Sequence, residues 1–572
     1  MKTINKIQIV LVLTAALVLG SCSESYLNRE PIGSTLTETQ YQQLANKLEY
    51  ALRGLYSMMY EYGDHDVFGQ RSIDMYGDLL CGDMALTSQT YGWFYVDESE
   101  KTRSERSGYL WSYYYRMLHN TNNVIRAVEQ ATSLVDSVNV YGLPTDGLMV
   151  INADGDTVHT YTEEDGKTAY QYAQALTLRG YIYSGLIRFF TPTVAHIYNN
   201  KSGFNISNYP AFPMYDETNL DEVQPLAMLS DVYNLVETDL ATAIAYYEAF
   251  DEAYSRPSKL RADINVARGI FAYYFLNRAY LSHQYDATMP LAKGPLEGAL
   301  KYAKDLIETN EYKIISNSKL YSTGFNDINE SSWIWGENVT TETSTGLGSF
   351  FGQVDIHSYS YAWSGDTKVI DQDLYDAIPS WDGRKYWFND GSKNATFKLC
   401  PDGKFFSATA VGADFSTASD DIDREWLSDN IFMRIESMYL IAAEASYFLG
   451  NQNDAVDFLD AILSERLNPY NEDAAAEYAA FKTTLYDPNV FIQELYRNWR
   501  LEMWGEGYGL QTFRRLSYLY RDENTSHADK DKVYRGGNHL YNAGKSIEYT
   551  DESIYTMSIP GSELLYNPYL QE

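Results

Sequence analysis

Residues Asp231 to Tyr247 read DVYNLVETDLATAIAYY. Val232, Leu235, Val236, Leu240, Ala243, Ile244 and Tyr247 recur there at three-to-four spacing. That spacing puts one apolar stripe on an amphipathic helix. Leu296, Leu300, Ala303 and Ile307 make a second stripe of the same kind. Working outward, the same periodicity predicts helices over 38–62, 108–131, 168–190, 262–284, 433–449, 453–467, 489–504 and 508–520. Several come in pairs: 262–284 precedes 296–310, and 433–449 precedes 453–467 across Leu449-Gly450-Asn451-Gln452-Asn453. Small residues (Ala267, Ala279, Ala299, Ala303, Ala442, Ala443 and Ala455) fall where paired helices would touch. Such pairs look like tetratricopeptide units, although no clean self-match is visible. The expected fold is mainly α: a tetratricopeptide-like scaffold of helical pairs, decorated with long loops and short β-hairpins.

Between the pairs lie polar segments rich in Gly, Ser and Thr, at 62–107, 193–225, 311–365 and 385–430. Loops of this length are uncommon in a compact domain unless they carry function. Gly147 to Tyr161 alternates around Asn152-Ala153-Asp154-Gly155-Asp156, the pattern of a hairpin with an Asp-Gly turn. Asn152, Asp154, Asp156 and Glu163 also match the first, third, fifth and twelfth positions of a calcium loop. Thr157 stands at the sixth position, where a glycine makes the sharp turn, so the hairpin is the better reading and no metal is assigned.

The formal charge of −34 removes one class of partner. Nucleic-acid binders need a basic face to displace counterions from phosphates, and none is visible. The chain carries 52 tyrosines, more than its 44 lysines and arginines together. Many must pack in the core, but that number leaves some for loops, where flat amphipathic rings suit sugars. There is no Gly-x-Ser-x-Gly elbow and no His-Glu-x-x-His helix.

Lys2 and Lys6 precede an apolar run from Ile7 to Gly20, too short for the roughly 20 residues of a membrane-spanning helix. Residues 1–21 therefore read as a signal peptide. Leu19-Gly20-Ser21-Cys22 resembles a bacterial lipobox, which implies acyl chains on Cys22 and a membrane anchor for the mature chain. Residues 22–572 are then read as a single domain. Cys81 and Cys400 remain, and the sequence leaves open whether they pair.

A series of blocks resembles the SusD/RagB family, in the expected order. The first is Ser25-Tyr26-Leu27-Asn28-Arg29-Glu30-Pro31, followed by Trp111 to Val124 with Asn120, Asn122 and Asn123. Ala173 to Tyr181 places Arg179 in register, and Tyr233 to Ala243 matches at Tyr233, Asp239, Leu240 and Ala243. Leu374-Tyr375-Asp376-Ala377 leads to the Asp382-Gly383-Arg384 segment, and Arg434 to Ala445 matches at Tyr439, Leu440, Ala443, Glu444 and Ala445. The most specific block is Arg500-Leu501-Glu502-Met503-Trp504-Gly505-Glu506-Gly507, and the chain closes on Ile559-Pro560, Glu563 and Asn567-Pro568. The family usually follows Glu-Gly with an arginine and then an aspartate, where this chain has Gly509 and Thr512. Breaking a buried ion pair on one side alone is costly, so both partners are expected to have changed together, while Arg514 and Arg515 remain.

The resemblance further implies a lipid-anchored protein on the outer-membrane surface. It would bind oligosaccharide or polysaccharide without catalysis or cofactor and pass it to a SusC-like TonB-dependent transporter. Sugar platforms in the family come from loops on one side of the helical scaffold. Here Tyr91, Trp93, Phe94 and Tyr95, beside Gly92, form the first candidate. His357 to Trp363 is the second, placing Tyr359, Tyr361 and Trp363 on one face if the segment is extended. Trp333 and Trp335 are assigned to the core, and Trp381 and Trp387 rank below both candidates. A peptide binder of the same family and a surface glycoside hydrolase are the alternative readings.

Overall fold

A computed structural model describes residues 47–61, 63–88, 91, 93–94, 100–131, 149–151, 157–159, 163–191, 209–250, 258–281, 291–320, 324–392, 394–405, 428–517, 532–534, 536–540, 546–548 and 556–571. The chain divides into two units, Met1–Ala51 and Leu52–Glu572. Residues 47–51 are the described part of the first, and the rest of the description concerns the second. The elements run α1 (Lys47–Met58), α2 (Gln70–Cys81), β1 (Met84–Leu86), α3 (Glu100–Ala131), β2 (Met149–Ile151), β3 (Thr157–His159), α4 (Glu163–Phe190), β4 (Pro210–Pro213) and β5 (Leu226–Met228). Next come α5 (Leu229–Phe250), α6 (Ile264–Leu281), α7 (Lys293–Thr309), β6 (Trp333–Glu337), α8 (Phe350–Val354), β7 (Lys368–Ile370), α9 (Gln372–Asp376) and β8 (Asn430–Arg434). The chain ends through α10 (Ile435–Phe448), α11 (Gln452–Leu463), α12 (Ala474–Thr484), α13 (Pro488–Glu502), α14 (Gly509–Leu516), β9 (Lys532–Tyr534), β10 (Ser546–Glu548) and α15 (Gly561–Tyr566).

The stripe on Asp231–Tyr247 behaves as its spacing requires. Val232, Val236, Leu240, Ala243, Ile244 and Tyr247 are buried on α5, and Leu235 is half-buried at the edge. Burying a side chain of this kind contributes about 1.5–3 kcal/mol, so one stripe suffices to hold the helix against its neighbours. Helices pack in a continuing series: α3 on α4, α4 on α5, α6 on α7, α7 on α10 and α10 on α11. The seven alanines singled out at helix contacts are all fully buried. Gly180 lets α4 approach α5, since a Cβ there would lie 2.8 Å from Leu240 Cγ. The fold is mainly helical, as the periodicity requires.

The strands are short and come in antiparallel pairs. β2 pairs with β3 where the hairpin is expected, while residues 152–156, including the whole Asp-Gly turn, lie outside the described residues. Trp333 and Trp335 are core residues of β6, which pairs with β8. Several described helices stand where none is expected: α2 falls inside the predicted loop 62–107, α8 inside 311–365, and α9, α12 and α15 in segments assigned no helix. Cys81 and Cys400 are both buried and unpaired.

The blocks of the family resemblance meet as buried ion clusters. Arg179 on α4 holds Asp239 on α5 through two bonds of 2.6 and 2.8 Å, and donates to Asn122 on α3 at 3.0 Å. Glu502 at the end of α13 gathers Arg384, Arg434 and Arg466 at 2.8–3.1 Å, all with buried side chains. Glu506 accepts from Arg434 at 2.8 Å and pairs with Lys404 at 2.7 Å. Arg515 on α14 is paired with Glu444 on α10 at 2.8 Å.

Gly509 packs against the buried carboxylate of Asp78. Its N–H donates to Asp78 Oδ1 at 3.1 Å, and the Gly507 N–H donates to Asp78 Oδ2 at 3.3 Å. A Cβ at Gly509 would come within 2.7 Å of both Asp78 Oδ1 and Cys81 Sγ, so no side chain fits. Burial first, and then the carboxylates of Asp83 and Asp74, push Asp78 up to about 7. The folded chain therefore binds a proton here that the unfolded chain has released above pH 4. Stability from this group is full below that pH and falls as pH rises toward 7. Asp78→Asn should remove about 2–4 kcal/mol of this pH dependence, read from urea unfolding between pH 4 and 7.5. An unchanged slope in the variant would show that Asp78 is not the group responsible.

Candidate functional site

The ladder of β1 and β7 brings the two aromatic loops together. Met84, Ala85 and Leu86 pair antiparallel with Ile370, Val369 and Lys368. The loop leaving β1 and the loop entering β7 therefore emerge at the same end of the ladder. Ser88 Oγ donates to Gly365 O at 2.6 Å, and Thr87 bonds Thr367 through their hydroxyls. A third loop joins them where Gln353 Nε2 donates to His65 O at 2.6 Å.

At this junction Tyr361 is central. Its ring centroid lies 5.1 Å from Tyr91, 5.3 Å from His65 and 6.1 Å from Trp93, each contact edge-to-face. His65 and Trp93 are 5.2 Å apart. Such contacts each contribute about 0.5–1.5 kcal/mol beyond area burial, so the rings hold one another in place. Tyr91 is 49% exposed, and Trp93 and Tyr361 are half-buried. Trp93 Nε1 is a buried donor that meets no acceptor among the described residues. Beside this group Tyr359, 48% exposed, lies 5.8 Å from Trp363. The patch thus combines π-faces with hydroxyl and N–H groups.

The geometry corrects two expectations. Phe94 is fully buried, 4.8 Å from Tyr76 and 5.9 Å from Phe68, so it is a core ring and offers no face to a ligand. Its backbone sits at φ 65°, in the left-handed region. Residues 357–363 are not extended. Asp355 Oδ1 accepts from the N–H groups of His357 at 2.7 Å and Ser358 at 3.2 Å, and Ser360 Oγ accepts from Trp363 N at 3.0 Å. These bonds turn the segment, so Tyr359 pairs with Trp363 while Tyr361 joins the other loop. Tyr95 and Cys22 lie outside the described residues. Nothing in the sequence pattern pointed to His65, which sits in a tight Gly63–Val67 turn closed by Gly63 N donating to Val67 O at 2.8 Å. Among the described residues no cluster of His, Cys, Asp and Glu could hold a metal, and no helix is long and apolar enough to cross a membrane.

A helical scaffold of this kind is also found among known proteins. Residues 355–572 match the SusD family. A SusD-like protein of Bacteroides ovatus is 23% identical across all of this chain and 98% of its own length. The crystal structure of a SusD-like carbohydrate binding protein from Bacteroides vulgatus superimposes with a TM-score of 0.60 at 20% identity, covering 91% of this chain and 96% of that one. A structure solved with xylogluco-oligosaccharide gives a TM-score of 0.55 at 19% identity, covering 92% and 98%. Residues 355–572 thus carry the SusD family pattern, and the chain as a whole is similar to SusD-like proteins in sequence and fold.

Proposed function

We propose that this protein is a cell-surface glycan-binding lipoprotein, anchored in the outer membrane through Cys22. It captures oligosaccharide on the patch formed by Tyr91, Trp93 and Tyr361, with Tyr359 and Trp363 beside it, and passes it to a SusC-like TonB-dependent transporter. The observation that carries this reading is the convergence of two aromatic segments, distant in sequence, at one end of the β1–β7 ladder. A sugar ring has an axial C–H face that lies on a π-face, and hydroxyls that reach N–H and O–H groups. Two relatives by fold support that ligand class, one described as carbohydrate binding and one solved with xylogluco-oligosaccharide. The role is capture without bond cleavage, in keeping with the fold relative described as carbohydrate binding.

The chain lacking residues 1–22 should bind at least one member of a glycan array and be retarded on the matching polysaccharide gel. It should release no reducing sugar from that glycan. Binding to a neutral glycan should also be nearly independent of salt, whereas a cationic peptide drawn to a −34 chain would dissociate as salt screens the attraction. Retention of short peptides with no glycan bound would overturn the sugar reading, and sustained release of reducing sugar would make the protein an enzyme.

A further inference from the structure

The most specific block of the sequence encloses a space that the aromatic patch does not use. A cavity of about 90 Å³ lies in the helical scaffold, and Glu506, Gly507 and Tyr508 form part of its wall. Tyr181, Arg188, Tyr273 and Trp335 also line it, from α4, α6 and β6. None of the patch residues takes part. Tyr181, Tyr273 and Tyr508 retain accessible surface, yet burial holds all three phenols above their ordinary range. All three rings line the cavity. Gly507 is held to glycine there: its φ is +82°, and a Cβ would sit 2.4 Å from Asp74 Oδ1.

Three features define what such a chamber takes. Trp335 Nε1 and Arg188 Nε are buried donors with no acceptor among the described residues. Buried polar groups in native structures nearly always find a partner, so an occupant should bring acceptor oxygens. The charges of the wall are already matched: Arg188 lies 3.8 Å from Asp74 and donates to Gly507 O at 2.8 Å, while Glu506 is held by Arg434 and Lys404. An ion would enter uncompensated, which favours a neutral occupant. The volume is smaller than the roughly 150 Å³ that admits benzene in an engineered apolar cavity, and these walls are polar as well as aromatic. We propose that this cavity is a binding site for small neutral polyols of about glycerol size, separate from the aromatic patch.

The probe is glycerol, titrated into the chain lacking residues 1–22 with its tryptophan indoles labelled with nitrogen-15. Trp335→Phe identifies the Trp335 signal. That signal should follow a saturating curve while the other indoles drift linearly with bulk solvent, and glucose should not move it. Ser184→Leu, which fills the chamber from its wall, should abolish saturation. Tyr181→Phe removes one hydroxyl at nearly constant volume and should weaken binding at least fivefold, which keeps the test decisive if Ser184→Leu fails to fold. A linear drift of Trp335 with the rest, a glucose response equal to that of glycerol, or saturation unchanged in both variants would overturn the proposal. Glycan binding at the patch is measured separately, so failure here leaves that reading standing.

Discussion

Glu502→Ala should cost about 3–5 kcal/mol and shift the urea unfolding midpoint more than any other single carboxylate replacement in the scaffold. Glu502 is fully buried, and its two oxygens meet Arg384 at 3.1 Å, Arg434 at 2.8 Å and Arg466 at 2.8 and 3.0 Å. Burial alone would push its carboxyl up, but Arg466 and Arg434, followed by Arg384, outweigh this and hold it well below the usual range. Removing the side chain leaves three guanidinium groups in the interior with their shared anion gone. Asp382 and Glu436 still face Arg384 and Arg466, at 2.6 and 3.2 Å, so the loss is large without being the sum of three pairs. Because the folded pKa is depressed, the contribution of Glu502 is present above the ordinary carboxylate range. It is lost as pH falls through the folded value. Wild type should therefore lose stability in acid through this group, and the alanine variant should not. Glu297→Ala breaks a surface pair with Lys293 and should leave the midpoint unchanged within error. Equal midpoints for the two variants would show that the cluster does not hold the scaffold.

How much of this architecture could be read locally depends on how each residue is buried. A helix with one wet face announces itself, as α5 does. The helix α2 has no wet face at all: all its residues are buried, including Gln70, Arg71, Asp74 and Asp78. Its polar residues then mimic a loop, and periodicity fails for a physical reason, since the ions are satisfied inside the fold. At the other extreme α12 buries only Ala474 and Tyr478, too little to make a stripe. In residues 357–363, alternating Ser and aromatic residues imitate a strand. Asp355 and Ser360 capture backbone N–H groups and bend the chain, an outcome that depends on side-chain hydrogen bonds and not on hydropathy. Asp382, Arg384, Arg434, Glu502 and Glu506 were legible as motif residues, but Arg466 stood in no motif, and their meeting point was hidden because they come from separate elements.

The candidate site shows the same division. Tyr91 and Trp93 stand out as aromatics in a polar loop, as does Tyr361 in another. Their union follows from the β1–β7 pairing, a contact across about half the length of the sequence. Phe94 was indistinguishable from its neighbours by composition, and its burial against Phe68 and Tyr76 separates it from Tyr91 and Trp93.

That separation makes the second large effect specific. Trp93→Ala and Tyr361→Ala should each weaken glycan binding about 10- to 30-fold, or roughly 1.4–2 kcal/mol, by isothermal titration with the glycan identified on the array. Trp93 offers the largest ring in the group together with an indole N–H that has no acceptor among the described residues, and Tyr361 touches all three other rings. Because their rings are in contact, the two losses should not add: the double variant should fall short of the sum by at least about 0.5 kcal/mol. Tyr359, whose measured ring contact is with Trp363, should combine additively with Trp93. Phe94→Ala should behave differently again. Its cost, about 3–5 kcal/mol, is one of core packing against Phe68 and Tyr76 and belongs in the unfolding curve. Additive losses for Trp93 and Tyr361 would mean that the two loops bind as separate platforms. Undiminished affinity in both single variants would remove the patch from the binding site altogether, whatever the glycan.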